Sequence, residues 1–211
     1  SNAGYYPTAM PLDFKLIFEV PSGKILGAQA VGFTGVEKRI DIIATAIAGG
    51  LTVRDLEDVE LAYATPFSSA KDPVNMAGYV ATNILDGLVK TVTVDKIDDL
   101  VAQGAFLIDV RTPEEYELGT IEGAINIPLD ELRDRLDEIP KDKEVYVTCQ
   151  VGLRGYLSTR ILTQNGFNPI NLDGGFSSYS QLKLNVNKES NADSLGGLGI
   201  ACTDNSDVIK K

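Results

Sequence analysis

The sequence predicts an α/β fold, a mostly parallel sheet with helices on both faces, preceded by a smaller α+β segment. Three observations lead there. From Thr91 to Leu182, short apolar runs alternate with stretches of helical period, the pattern of strands joined by crossover helices. Ahead of it, two apolar runs flank a Pro-Ser-Gly-Lys turn and are followed by an amphipathic helix. The composition, 44% hydrophobic and 23% charged over 211 residues, suits one or two folded domains and not a disordered chain.

Ser1, Asn2 and Ala3 read as the remnant of a cleaved tag, and the first segment is taken as residues 4–88. Phe14 to Val20 and Ile25 to Gly32 form the hairpin, turning at Pro21-Ser22-Gly23-Lys24. Lys38 to Ala48 is a helix, with Ile40, Ile43, Ala44 and Ile47 on one face and Gly49-Gly50 as its stop. Thr52 with Asp55 resembles a capping box. Asp72-Pro73 starts another helix, running to about Ile84. Two strands alone are marginal, so this segment is expected to be part of a larger domain or to need a partner chain.

The second segment is taken as residues 91–182. Thr93 to Gln103 is a short strand or turn and then a helix, ended by Gly104. Strands are expected at Ala105–Val110, Ala124–Ile127, Val145–Thr148 and Ile170–Leu172. Helices are expected at Pro113–Leu118, Leu129–Ile139 and Tyr156–Gln164. The second of these has Leu129, Leu132 and Leu136 on one face, and the third has Leu157, Ile161 and Leu162 inward. The polar stretch 183–211 lacks a period and reads as a linker or tail.

Composition excludes several function classes. Lys and Arg number 19 against 30 Asp and Glu, a net charge of −11, which disfavours nucleic acid as a partner. No apolar run approaches the roughly 18 residues of a membrane span, and the chain opens on no signal peptide. With two cysteines, Cys149 and Cys202, a disulfide scaffold is not implied; a reducing cytoplasm is the expected setting. Histidine is absent, which removes His-based triads and most zinc sites, and no metal is expected.

The chemistry concentrates at Cys149. It ends a buried strand and leads into a helix, where open α/β sheets bind ligands. The helix presents unpaired N–H groups and its positive end. Gly152 and Gly155 let successive N–H groups curl into an anion-binding nest, and Arg154 adds a permanent charge. All of this favours a thiolate, a persulfide anion or an anionic sulfur donor. The arrangement is similar to the Cys-x5-Arg loop of the cysteine phosphatases, but only four residues separate Cys149 from Arg154. The tighter loop is better matched to one sulfur atom than to phosphate.

Four stretches carry a resemblance to the rhodanese domains. They are Leu107-Ile108-Asp109-Val110-Arg111-Thr112-Pro113-Glu114-Glu115-Tyr116, Gly123-Ala124-Ile125-Asn126-Ile127-Pro128, Cys149-Gln150-Val151-Gly152-Leu153-Arg154 and Leu172-Asp173-Gly174-Gly175-Phe176. The resemblance implies a rhodanese-like parallel sheet. It also implies a sulfurtransferase in which Cys149 is the nucleophile, with Arg154 catalytic beside it. Gln150, Val151, Gly152, Leu153 and Gly155 line the substrate cradle. Thr120 and Glu122 stand where many members have His and Pro, and Tyr179 stands near a usual Trp.

The first segment resembles the dimerisation domain of the pyridine nucleotide-disulfide oxidoreductases, above all the coenzyme A-disulfide reductases with a fused rhodanese domain. The residues that carry this are Gly4-Tyr5-Tyr6-Pro7, Lys24-Ile25-Leu26-Gly27-Ala28-Gln29, Lys38-Arg39-Ile40-Asp41 and the run from Ala62 to Pro73. The resemblance implies a homodimer in the parent protein. Tyr63, with Tyr5 or Tyr6, would lie on the coenzyme A side of the partner subunit. FAD, NAD(P)H and coenzyme A are implied for the parent, and no cofactor for this fragment, since no Gly-x-Gly-x-x-Gly occurs in it. A sulfane-sulfur donor and a thiol acceptor, coenzyme A or a protein thiol, are the implied partners. A sulfur-carrier domain could follow the tail.

Blander assignments compete at several positions. Asp109 and Arg111 fit a structural pair at a strand end better than a catalytic one. Glu114 and Glu115 fit a solvated first helical turn. Tyr63 suits a dimer interface equally well. Cys202 fits an incidental thiol better than a resolving one. Against sulfur transfer stands a non-catalytic dimerisation and docking module that keeps the rhodanese fold as scaffold. A phosphatase or arsenate reductase on the same fold is disfavoured by the short loop.

Overall fold

A computed structural model of the chain describes residues 3–192, and side chains for residues 3–184. Cys202 and the end of the polar tail lie outside the described residues.

The first half is a two-stranded antiparallel hairpin backed by helices. Strand β1 (Leu12–Phe18) pairs with β2 (Ile25–Gly32), Leu12 opposite Gly32, with an irregularity at Ile17/Phe18. In β1 the even-numbered residues Phe14, Leu16 and Phe18 turn inward while Asp13, Lys15 and Ile17 face out, the period of a sheet covered on one side. Helix α1 (Val36–Ala48) brings Ile43 and Ala46 onto that face. The Asp55 carboxylate accepts from both the amide and the hydroxyl of Thr52, and only a four-residue helix, α2 (Asp55–Asp58), follows. Helix α3 (Pro73–Leu85) begins as the Asp-Pro pair requires. Asp72 accepts from the Val74 amide, Asn75 accepts from the Asp72 amide, and Pro73 occupies the first turn. The Asn75 amide then donates to the carbonyls of Leu56 and Val59, fastening α2 to α3. Beneath this corner Arg39 is fully buried and paired with Asp72, Nη2 to Oδ2 at 2.9 Å.

The second half is a five-stranded parallel sheet. Strand β3 (Thr91–Val92) and a 3₁₀ turn lead into α4 (Ile97–Ala102). Then follow β4 (Phe106–Asp109), α5 (Pro113–Glu117) and β5 (Ile125–Asn126). The chain closes with β6 (Glu144–Thr148), α6 (Leu153–Gln164), β7 (Asn168–Leu172) and α7 (Gly175–Ala192). The strand order is β3-β7-β6-β4-β5, and every pair is parallel. The near-continuous apolar strands follow from burial on both faces. Ile108, Val145 and Val147 pack in one core with Ile161 and Leu162; Leu107 and Tyr146 pack in the other with Ile97 and Tyr179. The halves meet where the Arg160 guanidinium donates to the Leu88 carbonyl at 2.7 Å.

Four expectations need correction. Leu129–Ile139 is not an α-helix: it runs as successive turns and a 3₁₀ helix at Leu136–Glu138. Its backbone bonds reach back three positions, as from Leu132 to Leu129 and from Glu138 to Arg135, and Arg135 at φ −119° interrupts the spiral. Leu132 is buried and Leu129 and Leu136 pack on the same core, so the apolar face survives without the helix. Helix α6 starts at Leu153, three residues before Tyr156, because Gly152 at φ +116° makes the turn into it. Within α6, Leu157 is exposed, while Ile161 and Leu162 are buried as expected. The polar stretch from Lys183 begins inside α7, anchored there by an ion pair from Lys183 to Asp98.

Candidate active site

Cys149 follows the last residue of β6, at the carboxyl end of the sheet. Its main chain is fixed from α7. The first N–H groups of that helix have no partner within it; those of Phe176 and Ser177 donate to the carbonyls of Cys149 (2.7 Å) and Gln150 (2.9 Å). This docking requires glycine at 175. Its φ is +58°, and a Cβ there would run into the Cys149 carbonyl.

The Gly152 amide turns back and donates to Cys149 Sγ at 3.1 Å. The carbonyl of the same residue starts α6 by accepting from Tyr156, and also accepts from Asn171 Nδ2 at 3.3 Å. Gly155 lies on Asn171, where a side chain would overlap Oδ1. Cys149 is 1% exposed, while Val151 and Leu153 stand 65% and 63% exposed at the surface of the loop. The outward side chains of the loop are thus apolar, and the sulfur sits behind them against a donated N–H.

Two arginines border the loop, and each ends on a carboxylate. Arg111 is buried with Asp109, Nη2 to Oδ2 at 2.6 Å, and also donates to the Gly119 carbonyl at 2.7 Å. The Thr120 hydroxyl completes the Asp109 shell at 2.8 Å. Arg111 stacks 4.2 Å from the centre of the Phe176 ring and reaches Gln150 Oε1 at 3.3 Å, so the structural pair also steadies the loop. Arg154 forms a two-pronged pair with Glu115, Nη1–Oε2 2.6 Å and Nη2–Oε1 2.7 Å. The Arg154 bonds pull the Glu115 carboxyl down to about 2, and Glu115 in turn raises Arg154, whose charge also interacts with Cys149.

Glu115 is therefore not the solvated residue expected of a first helical turn. It accepts from the Thr112 amide at 3.0 Å while Thr112 Oγ1 accepts from the Glu115 amide, a complete capping box. The Thr-x-x-Glu spacing of Thr112 and Glu115 was the available signal. Asn171 was also missed; a polar side chain within a buried strand was its signal.

In the first half, the Tyr5 and Tyr63 hydroxyls lie close to each other and to Thr65, and their mutual interaction raises the Tyr5 phenol and lowers that of Tyr63. Tyr5 is exposed and Tyr63 about half so, whereas Tyr6 is partly buried. Among the described residues no cluster of His, Cys, Asp or Glu could hold a metal ion.

Two family models match: the rhodanese-like domain over residues 93–182, and the pyridine nucleotide-disulphide oxidoreductase dimerisation domain over residues 1–72. The chain thus joins a dimerisation-domain segment to a rhodanese-like domain. The structure of reduced Bacillus anthracis CoADR-RHD is 58% identical, with a TM-score of 0.84, over 88% of this chain and 33% of that one. A NAD-dependent persulfide reductase from A. fulgidus is 43% identical, with a TM-score of 0.76, over 84% of this chain and 32% of that one. A coenzyme A disulfide reductase from Staphylococcus epidermidis is 46% identical over 81 residues, 38% of this chain and 18% of its own length. The chain thus spans about a fifth of the length of the curated relatives it matches.

Proposed function

We propose that this chain is a rhodanese-type sulfurtransferase that carries sulfane sulfur on Cys149. The observation that carries the reading is the Gly152 N–H aimed at Cys149 Sγ, 3.1 Å away, at the mouth of the parallel sheet. A donated N–H stabilises negative charge on sulfur, whether thiolate or persulfide. The Cys149 thiolate attacks the outer sulfur of a persulfide R–S–SH. A Cys149–sulfur bond forms, the donor S–S bond breaks, and the proton leaves with R–SH. The backbone N–H groups of the cradle from Gln150 to Gly155 hold the resulting Cys149 persulfide anion, and Arg154, kept in place by Glu115, adds its positive field from the rim. An acceptor thiol, coenzyme A or a protein thiol, then takes the outer sulfur and restores the thiolate.

Within its parent, the chain would serve a coenzyme A-disulfide, coenzyme A-persulfide or polysulfide reductase of the cytoplasm. That protein would be a homodimer through the first half, with Tyr5, Tyr6 and Tyr63 on the coenzyme A side. FAD and NAD(P)H do not fit this chain's own residues. No Gly-x-Gly-x-x-Gly follows any of its strands, and the loop after β6 is filled by the cysteine chemistry.

The near-complete burial of Cys149 favours one alternative, a docking module in which the cysteine is silent packing. Turnover separates the two. With an alkyl persulfide as donor and cyanide as acceptor, the wild type should form thiocyanate well above the uncatalysed rate. Cys149→Ser should lower that rate by about a thousandfold or to background. Equal rates in both proteins would favour the docking module.

A further inference from the structure

We propose that Glu115 is a specificity-determining residue: by holding Arg154 in a two-pronged ion pair, it makes the Cys149 loop select persulfides on uncharged arms and reject the thiosulfate dianion. The inference rests on the sulfur-transfer reading and concerns which donor the same site accepts.

Charge at the loop sets the selection. A sulfane donor must bring its outer sulfur to Cys149, and a dianion approaching a thiolate needs a cation left free to meet it. Both guanidinium groups beside the loop are committed. Arg111 is buried on Asp109, and Arg154 is engaged through both terminal nitrogens by the two oxygens of Glu115. The Glu115 carboxylate is itself anchored by the Thr112 amide, so the pair is held from both ends. With its carboxyl drawn down to about 2, Glu115 remains charged at any ordinary assay pH. The thiosulfate dianion would meet that carboxylate as well as the thiolate.

Shape points the same way. The outward side chains flanking Gly152 are Val151 and Leu153, both mostly exposed and apolar. They offer contact to a carbon arm and nothing to a sulfonate oxygen. At its sulfane end a persulfide carries at most one charge, on the sulfur that is transferred, where the Gly152 N–H receives it.

The sulfur step balances for either donor. With a persulfide, the thiolate and R–S–SH give Cys149–S–S⁻ and R–SH. With thiosulfate, the thiolate takes the outer sulfur and sulfite leaves with the electron pair. Charge and atoms are conserved in both, so the two donors differ at the site only in what they bring to it.

The test measures the rate of sulfur loading on Cys149 by quenched-flow intact mass, with thiosulfate and with the persulfide of 2-mercaptoethanol. Wild type is compared with Glu115→Gln and Glu115→Asp. Glutamine is accepted at the third position of a capping box, so Glu115→Gln keeps the α5 start while freeing Arg154. Wild type should load from the persulfide and barely from thiosulfate. Glu115→Gln should gain roughly tenfold with thiosulfate, the scale of one charge a few ångströms from a dianion. Its thiosulfate-to-persulfide loading ratio should rise by the same factor, and added salt should shrink the thiosulfate gain. Glu115→Asp keeps the charge and should keep the wild-type donor ratio even if α5 is weakened. An unchanged ratio in Glu115→Gln, with persulfide loading intact, overturns the role of Glu115 and leaves sulfur transfer standing. Failure of the wild type to load from either donor overturns both.

Discussion

The two halves of the molecule bury charge in the same way but finish their cores differently. Each contains an arginine-aspartate pair of negligible exposure, Arg39 with Asp72 in the first and Arg111 with Asp109 in the second. In the second half that pair sits at the end of a five-stranded sheet covered on both faces. In the first half it supports a two-stranded sheet whose outer side leaves Val31 and Phe33 more than two-thirds exposed. An apolar groove of about 590 Å³, lined by residues such as Ile42, Leu51, Leu56 and Leu61, also opens beside α1. A buried ion pair therefore says nothing about whether the surrounding core is closed. The lesson for function is that the proposed sulfur chemistry lies in the half whose sheet is covered on both faces.

The sharpest way to break this comparison is to remove one buried charge. Asp72→Ala leaves Arg39 uncompensated and deletes the α3 cap, and should cost about 3–5 kcal/mol. Urea unfolding followed by tyrosine fluorescence should show the first half melting early. The same variant should still load sulfur on Cys149 at close to the wild-type rate. Loss of loading would mean that the halves are one cooperative unit. The converse substitution is Gly175→Ala, which forces a Cβ into the Cys149 carbonyl at a left-handed φ. It should destabilise the second half by about 2–4 kcal/mol and lower sulfur loading, read by the same two assays.

A smaller effect is the acid sensitivity of the second half. Glu115 is held near 2, against an ordinary value near 4.5. Because the folded value is depressed, its stabilisation is complete above 4.5 and is lost as pH falls towards 2. A carboxyl titration by NMR should find Glu115 still ionised at about pH 3, where ordinary glutamates are protonated. Glu115→Gln removes this dependence. The smallest effect belongs to the exposed pair of Arg54 and Asp86, where Arg54→Ala should leave the urea midpoint unchanged.

Much of this was readable in the residues. The parallel sheet was legible because Ala105–Val110 and Val145–Thr148 are apolar without alternation, which only two-sided burial explains. The cysteine loop was legible because its cysteine, glycines and arginine are contiguous in the chain. What was not legible depended on partners distant in sequence. Arg154 and Glu115 lie 39 residues apart, and neither announces the other. Asn171 matters only because β7 runs beside the loop after β6. Leu129–Ile139 has a helical apolar face, yet tight three-residue turns satisfy the same burial, and periodicity does not distinguish them. Helix α7 was hidden by its polar composition; its start is bonded to the Cys149 loop and its middle to Asp98.

The central claim is that Cys149 carries sulfur, and intact-mass spectrometry of the loaded and discharged protein tests it most directly. After exposure to an alkyl persulfide the chain should gain about 32 Da, one sulfur atom, on Cys149. It should lose that mass on addition of excess thiol, and Cys149→Ser should never acquire it. No gain with any sulfane donor, or the same gain in Cys149→Ser, would contradict the account.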